Sequence, residues 1–581
     1  MNARLLLLML LMSAPAGSAG LAQVPAPPVT QASPGAPTGS HPQESATGPR
    51  DNEQKPDTGT GRIAGRVIGG ETGAPLRRAV VTLSAEGMRE GRSATTDEAG
   101  RFEFKELPSA RYALGASKAG YVMMRYGQRR AFEAGSRNLE LETGQSVTNV
   151  LFNLPRGGVI TGRITDEFGE PVAGTTVKVM KHQYAEGRRQ LMPVMGGWAG
   201  TDDLGRYRAY GLPPGEYFVS ASMEGGAGPF AARSEDRGGF APTYFPGTQT
   251  VADAQKVPVR AGTEVTANFA LLPARTLTIS GTALDSEGKP VPNGFIMVME
   301  GPPGRRNMFT MSAGAMVRPD GTFTVASLTP GEYVLHVNIE PGREGEAEAA
   351  AVPVTLATED ISGLAIVTTR GATIAGQVIL DGAQGASLRP AELTFFMTPV
   401  EPVSPIFGGR PFTPKDDWTF EGTARESPVV IRGGEQSAAW RIKAVLQRGV
   451  DVTDTGVVFR PGERVDDVQI VLSNRLSIVT GAVAADAGSP AKDYVVVVFA
   501  DDPNRWGPES RHIGSAQPDQ RGQFEVKGLP PGNYLALAVQ YLEEGQDRDP
   551  EFLQEMRPSA TSFALGEGER KALTLRVVRR D

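Results

Sequence analysis

The sequence predicts an all-β protein of about five tandem antiparallel β-sandwich domains after a disordered N-terminal tether, and three observations carry that expectation. A phrase of turn and core residues recurs about every 100 residues. Five short apolar segments, each interrupted by one glycine, open the stretches that hold it. Gly 71 and Pro 45 together make about a fifth of the 581 residues, which fits many turns between short strands. A period of that length marks a domain, not a solenoid repeat.

Each unit is read in chain order. The opening segments centre on Gly65, Gly162, Gly281, Gly376 and Gly481, with apolar residues on both sides. That pattern predicts a strand in which glycine permits a bulge or a close backbone approach. A turn comes after it, clearest at Asp166, Gly169 and Pro171 and at Asp285, Gly288 and Pro290. A second strand comes next, alternating from Thr176 to Val179 and nearly all apolar from Tyr494 to Val498.

The recurring phrase then reads Asp97, Gly100, Phe102, Leu107, Pro108, Tyr112 in its first copy. It returns as Asp202, Gly205, Tyr207, Leu212, Pro213, Gly215, Tyr217, and as Asp320, Gly321, Phe323, Leu328, Pro330, Gly331, Tyr333. The last copy is Asp519, Gly522, Phe524, Leu529, Pro530, Gly532, Tyr534. The Asp and Gly predict a hairpin turn, and Arg101 to Phe104 alternates as a half-buried strand does. Leu-Pro-Pro-Gly suits a type II turn with glycine at its third position. The tyrosines recur in register and are assigned to the core. About seven short strands per unit are expected, and no amphipathic helix. The fourth unit departs from the phrase: Asp417 and Trp418 lack the turn glycine, and Trp440 is read in the tyrosine's place.

The ends and the linkers divide the chain further. Arg4, the apolar run Leu5 to Met12 and small residues before Gln23 read as a signal peptide over 1–22. Residues 23–60 are rich in Pro, Gly, Ser and Thr, and are expected to remain a disordered tether. The sandwiches are then placed at 61–156, 157–274, 275–370, 371–474 (divergent) and 475–581. No other segment is long and apolar enough to cross a membrane. The protein is therefore expected to be exported, to a periplasm or beyond the cell, with no membrane span after cleavage. It has no cysteine, so no disulfide supports it and core packing alone must do so. The formal charge of −7 and the lack of a Lys/Arg run make nucleic acid and anionic membrane poor partners.

In this order, the glycine strand, the Asp-x-x-Gly-x-Pro turn, the Asp-x-x-Gly-x-Phe turn and Leu-Pro-Pro-Gly-x-Tyr resemble the carboxypeptidase regulatory-like domain. That is a small prealbumin-like (transthyretin-like) sandwich related in architecture to Ig-like domains. The resemblance is good in units one, two, three and five. It implies a module without chemistry of its own, an appendage of peptidases, adhesins, outer-membrane receptors and polysaccharide-binding proteins. A fold of this kind does not fix a function.

Chemistry is sparse in the residues themselves. His41 and Glu44 have zinc-ligand spacing but sit in the tether, without the scaffold a metal site needs. His182, His336 and His512 are scattered singly through different units. Ser489 and Lys492 spell the Ser-x-x-Lys of penicillin-recognising enzymes, but at a turn and without a helix. Asp97, Asp202, Asp203, Asp320 and Asp519 offer too few oxygens per turn for calcium and read as turn stabilisers. No catalytic residue, metal or cofactor is expected. The candidate ligand contacts are the aromatics of variable loops: Trp198, Tyr244, Phe245, Trp418 and Trp506, which could stack on sugar rings or grip a partner. The expected function is a non-catalytic structural or protein-interaction scaffold at the bacterial cell envelope. The alternatives are a carbohydrate-binding protein using those aromatics, and an accessory to or remnant of a peptidase. The partner is expected to be an envelope protein or a polysaccharide; the sequence does not fix its identity or the oligomeric state.

Overall fold

Five hydrophobic cores succeed one another along the chain, drawn from residues 63–154, 160–271, 277–366, 372–472 and 479–575. The computed structural model describes residues 59–578 except 86–87, 89–90, 135–137, 224–238, 293, 302–310, 340–347, 383–387, 401–410, 426, 434–439, 485–492 and 520. The segment expected to be a signal peptide, nearly all of the expected tether, His41, Glu44, Ser489 and Lys492 lie outside the described residues. Strands dominate; the first four cores are closed between facing sheets, and the fifth within one seven-stranded sheet.

The opening strand is the keystone of every unit. Gly61–Gly69 pairs antiparallel with the phrase strand Arg101–Leu107 and parallel with the closing strand Ser146–Leu154. The other four units repeat this arrangement. So each antiparallel sandwich carries a parallel pair, because its last strand crosses back beside its first; in the fifth, that last strand also runs parallel to Gly532–Val539. The strand glycines mark this seam. A Cβ on Gly65, Gly162, Gly281, Gly376 or Gly481 would stand 2.0, 2.1, 1.9, 1.7 or 1.9 Å from a carbonyl oxygen of the closing strand. No side chain fits there, and the expected close approach is the reason for the repeat.

The phrase turns form as expected. Asp97, Asp202 and Asp519 accept backbone N–H bonds from Arg101, Arg206 and Gln523 at 2.7–2.8 Å. Gly100, Gly205, Gly321 and Gly522 take positive φ. The Leu-Pro-Pro-Gly turn differs from expectation. Gly215, Gly331 and Gly532 are not left-handed; the left-handed residue is the one before the leucine, namely Glu106, Gly211, Ser327 or Gly528. In the first three units the strand register slips there, so the positive φ belongs to a bulge. The residues after the bulge form a tyrosine corner. The hydroxyls of Tyr112, Tyr333 and Tyr534 donate to the carbonyls of Pro108, Thr329 and Pro530 at 2.8, 2.7 and 2.7 Å, and Tyr217 donates likewise to Pro213. All four rings are at most 2% exposed.

The fourth unit keeps the turn without its glycine. Trp418 occupies the glycine's place at φ 66° and donates its N–H to Lys415. A bulky residue there is strained, and its partly buried indole packs on the core in return. Trp440 does not replace the tyrosine. Counted from Ala424, which pairs as Leu107 does, the tyrosine's position falls on buried Val429. The strand after Trp440, Arg441–Gln447, pairs with the closing strand Arg464–Ser473, which extends the opening sheet instead of the facing one.

The fifth unit has a helix that the sequence pattern does not predict. Pro550–Met556 starts at Asp549, which accepts the Glu551 N–H, and proline takes the first helical position. Seven residues are too few to show a helical period. Its Phe552, Leu553 and Met556 cover Val495, Val497 and Phe499, while Val496 and Val498 face the sandwich core. Burial on both faces explains the continuous apolar run.

The five sandwiches do not form an open string. Residues 57–581 make one compact unit, organised around the fifth. Ala134 of the first sandwich joins the cluster under the helix, donates its N–H to Leu542 at 2.7 Å, and accepts from Gln517 at 2.7 Å. Arg129 bonds buried Glu133 and the Gln540 carbonyl. Arg130 lies over the ring of Tyr541, whose hydroxyl is pushed up to about 12 mainly by burial. From the second sandwich, Tyr184 meets Gln546. From the fourth, Asp454 takes Arg511 in two bonds of 2.9 and 3.2 Å, together with His512 at 3.2 Å. These contacts hold the Asp454 carboxyl well below the usual carboxylate range against its partial desolvation at the seam.

Candidate contact surface on the second sandwich

Two of the five loop aromatics fall in one row. Trp198 pairs across to Lys178, Lys178 to Ser220, and Ser220 to Tyr244. Directly opposed residues share a sheet face, and Val177 and Val179 point to the core, so the row lies on the outer face. Three strand spacings put the backbones of Trp198 and Tyr244 roughly 14 Å apart. The Lys178 ammonium stands 5.1 Å from the Trp198 ring centre, a cation–π contact. Trp198 is 48% exposed, whereas Lys178 and Ser220 are 9% and 7% exposed. The accessible part of the row is therefore its tryptophan end. Tyr244 is half-buried, and burial, with Glu300 nearby, raises its hydroxyl.

A bulge shapes the edge beside Trp198. Met180 pairs with Pro193 and Lys178 with Trp198, so four residues, 194–197, oppose Val179 alone. Gly196 takes φ 77° and lies so close to the next sheet that a Cβ would stand 2.6 Å from the Tyr210 carbonyl. This leaves Met195 83% exposed at the sandwich edge. Tyr210, 62% exposed beneath the Arg208 guanidinium, faces outward from the other sheet. Lys178, Met195 and Tyr210 were not among the residues singled out from the sequence. Tyr210 was legible as an outward position in the alternation of Arg206–Leu212.

The remaining aromatics are engaged in packing. Phe245 meets Phe269 edge-on at 6.0 Å and joins the second core. Trp418 packs on the fourth core. The Trp506 indole donates to the Ala500 carbonyl at 2.7 Å and meets Phe499 edge-on. The structure thus aligns Trp198 and Tyr244 in one row, three strand spacings apart, and leaves Phe245, Trp418 and Trp506 in packing positions. Among the described residues no three His, Asp or Glu side chains converge as a metal site. Nor is any described helix long and apolar enough to cross a membrane.

The fold and this surface define a class: a modular all-β protein of tandem sandwiches built on one repeated strand plan. Residues 62–154 and 159–272 match the model of the carboxypeptidase regulatory-like domain. The first two sandwiches are thus carboxypeptidase regulatory-like domains, and the other three repeat their strand plan. No curated protein matches it. Among solved structures it is similar to the minor pilin of Streptococcus agalactiae, at 12% identity over 37% of this chain and 97% of that one, with a TM-score of 0.21. It is also similar to the major pilin subunit of Bacillus cereus, at 10% identity over 53% and 99%, with a TM-score of 0.13. The shaft pilin of Lactobacillus rhamnosus GG gives 11% identity over 38% and 99%, with a TM-score of 0.18.

Proposed function

We propose that this protein is an exported, non-catalytic scaffold of the cell envelope that holds its sandwiches in a fixed arrangement for a protein partner. The observation that supports this reading is the fifth sandwich, contacted at once by the first, second and fourth. A chain that only spaced its ends apart would gain nothing from closing on itself; a scaffold gains a defined surface. Cross-linking in intact cells, followed by purification of this chain, tests it. The expected result is an envelope protein cross-linked to the folded chain. Recovery of the chain alone, under conditions that cross-link a known envelope complex, counts against it.

The half-exposed Trp198 with its paired lysine favours a second reading, carbohydrate binding. A glycan array with the intact protein and a Trp198→Ala variant tests that reading. Binding that disappears in the variant supports it, and a blank array with folded protein removes it.

A further inference from the structure

The seam between the fourth and fifth sandwiches contains a cleft of about 310 Å³, near the lower end of small-molecule sites. Its walls include Phe395, Ile431, Trp440 and Leu472 of the fourth sandwich, with Arg511 from the fifth. Arg432 also lines it, and its electrostatic position differs from that of Arg511. Arg511 is neutralised by Asp454. Arg432 donates to the carbonyls of Ile431 at 3.2 Å, Thr453 at 2.9 Å and Glu509 at 3.1 Å. Those acceptors are neutral. Its Nε is buried without a hydrogen-bond partner, and among the described residues no carboxylate lies within ion-pair distance. Burial lowers the affinity of this guanidinium for its proton. Asp454 and Glu509 act on this charge only from beyond ion-pair distance, an unpaired buried N–H is costly, and an anion entering the cleft would give the guanidinium a direct partner.

We propose that this cleft binds a small organic carboxylate, with its carboxylate on Arg432 and its apolar body against Phe395 and Trp440. The apolar walls select an organic group over a bare inorganic anion, which would leave them unfilled. The site does not depend on the scaffold reading above, since it is enclosed by two sandwiches of the same chain.

The test is calorimetric titration of the full chain with phenylacetate and, separately, with sulfate. Two variants accompany it. Arg432→Met removes the charge and keeps the stem. Gly433→Leu fills the cleft from an open position, where a Cβ meets only Ile442 and Phe395 at ordinary contact distances of 3.9–4.0 Å. The expected result is one phenylacetate per chain, weakened at least about tenfold by either substitution, as loss of a charge-assisted bond implies. No phenylacetate binding to the folded wild type overturns the proposal. So does unchanged affinity in Arg432→Met, and sulfate bound as tightly as phenylacetate overturns an organic ligand.

Discussion

His336 makes the stability of the third sandwich depend on pH in a way that can be calculated. It sits in the central strand Gly331–Ile339, pointing away from the core face of Tyr333, Leu335 and Val337. It is 2% exposed, and its Nε2 has no hydrogen-bond partner. Burial lowers its pKa to about 4, against about 6.5 in an unfolded chain. The folded state therefore binds the proton less readily than the unfolded one. The histidine's contribution to stability is complete above about pH 6.5 and is lost as pH falls through 4. At 1.36 kcal/mol per pKa unit the full loss is about 3 kcal/mol, most of it by pH 4.5. A single unfolding free energy is not defined for a chain of five domains. Hydrogen exchange at the Val334 and Leu335 amides isolates this one. Protection, corrected for intrinsic exchange, should fall between pH 7 and 4.5 by about 2 kcal/mol more in the wild type than in His336→Leu. Equal pH dependence in the two proteins, or an imidazole titrating near 6.5 in the folded chain, refutes the reasoning.

Three further outcomes are expected. Gly376→Ala forces a methyl to within 1.7 Å of the Val468 carbonyl, and should destabilise the fourth sandwich by about 3 kcal/mol or more, seen as rapid proteolysis within it; native resistance would contradict the close approach. Tyr112→Phe removes the 2.8 Å bond to Pro108 and should cost about 1 kcal/mol in the first sandwich, read from hydrogen exchange of its own strand amides; a neutral result would make the corner a packing feature only. Ala134→Arg places a long cation in the cluster under the helix, and small-angle scattering should show a larger radius of gyration as the first and fifth sandwiches part. An unchanged radius would mean that other contacts hold them.

The sequence was most legible where backbone geometry forces one residue type. Strand glycines facing a carbonyl and turn glycines at positive φ repeat because nothing else fits, so the architecture could be read from them. The left-handed residue before each leucine was not legible, because no single residue type marks it: it is Glu106 and Ser327 in two units and Gly211 and Gly528 in two others. Trp418 obscured its turn for the same reason in reverse, since a side chain stands where glycine is normally required. The helix Pro550–Met556 was too short for a period. Its only trace was the apolar run Val495–Ala500, whose second buried face needs a cover. The row joining Trp198 to Tyr244 depends on pairings between strands distant in sequence. No local pattern encodes that register, and Lys178 read alone is an ordinary strand residue.

The bond between Ala134 and Leu542 joins residues about 400 positions apart, which sets an order of events during synthesis. The first sandwich is complete long before its docking site exists. At ordinary elongation rates the interval is roughly 20–80 s. Throughout it Ala134 must stand in water without the surface it will cover. Its loop is built for that wait: Glu133 is held by Arg129, accepts the N–H groups of Arg129 and Arg130 at 2.6 and 3.1 Å, and its carbonyl accepts from Gln128. Its shape is thus set by close neighbours in sequence, and the newborn fifth sandwich meets a partner that is already formed.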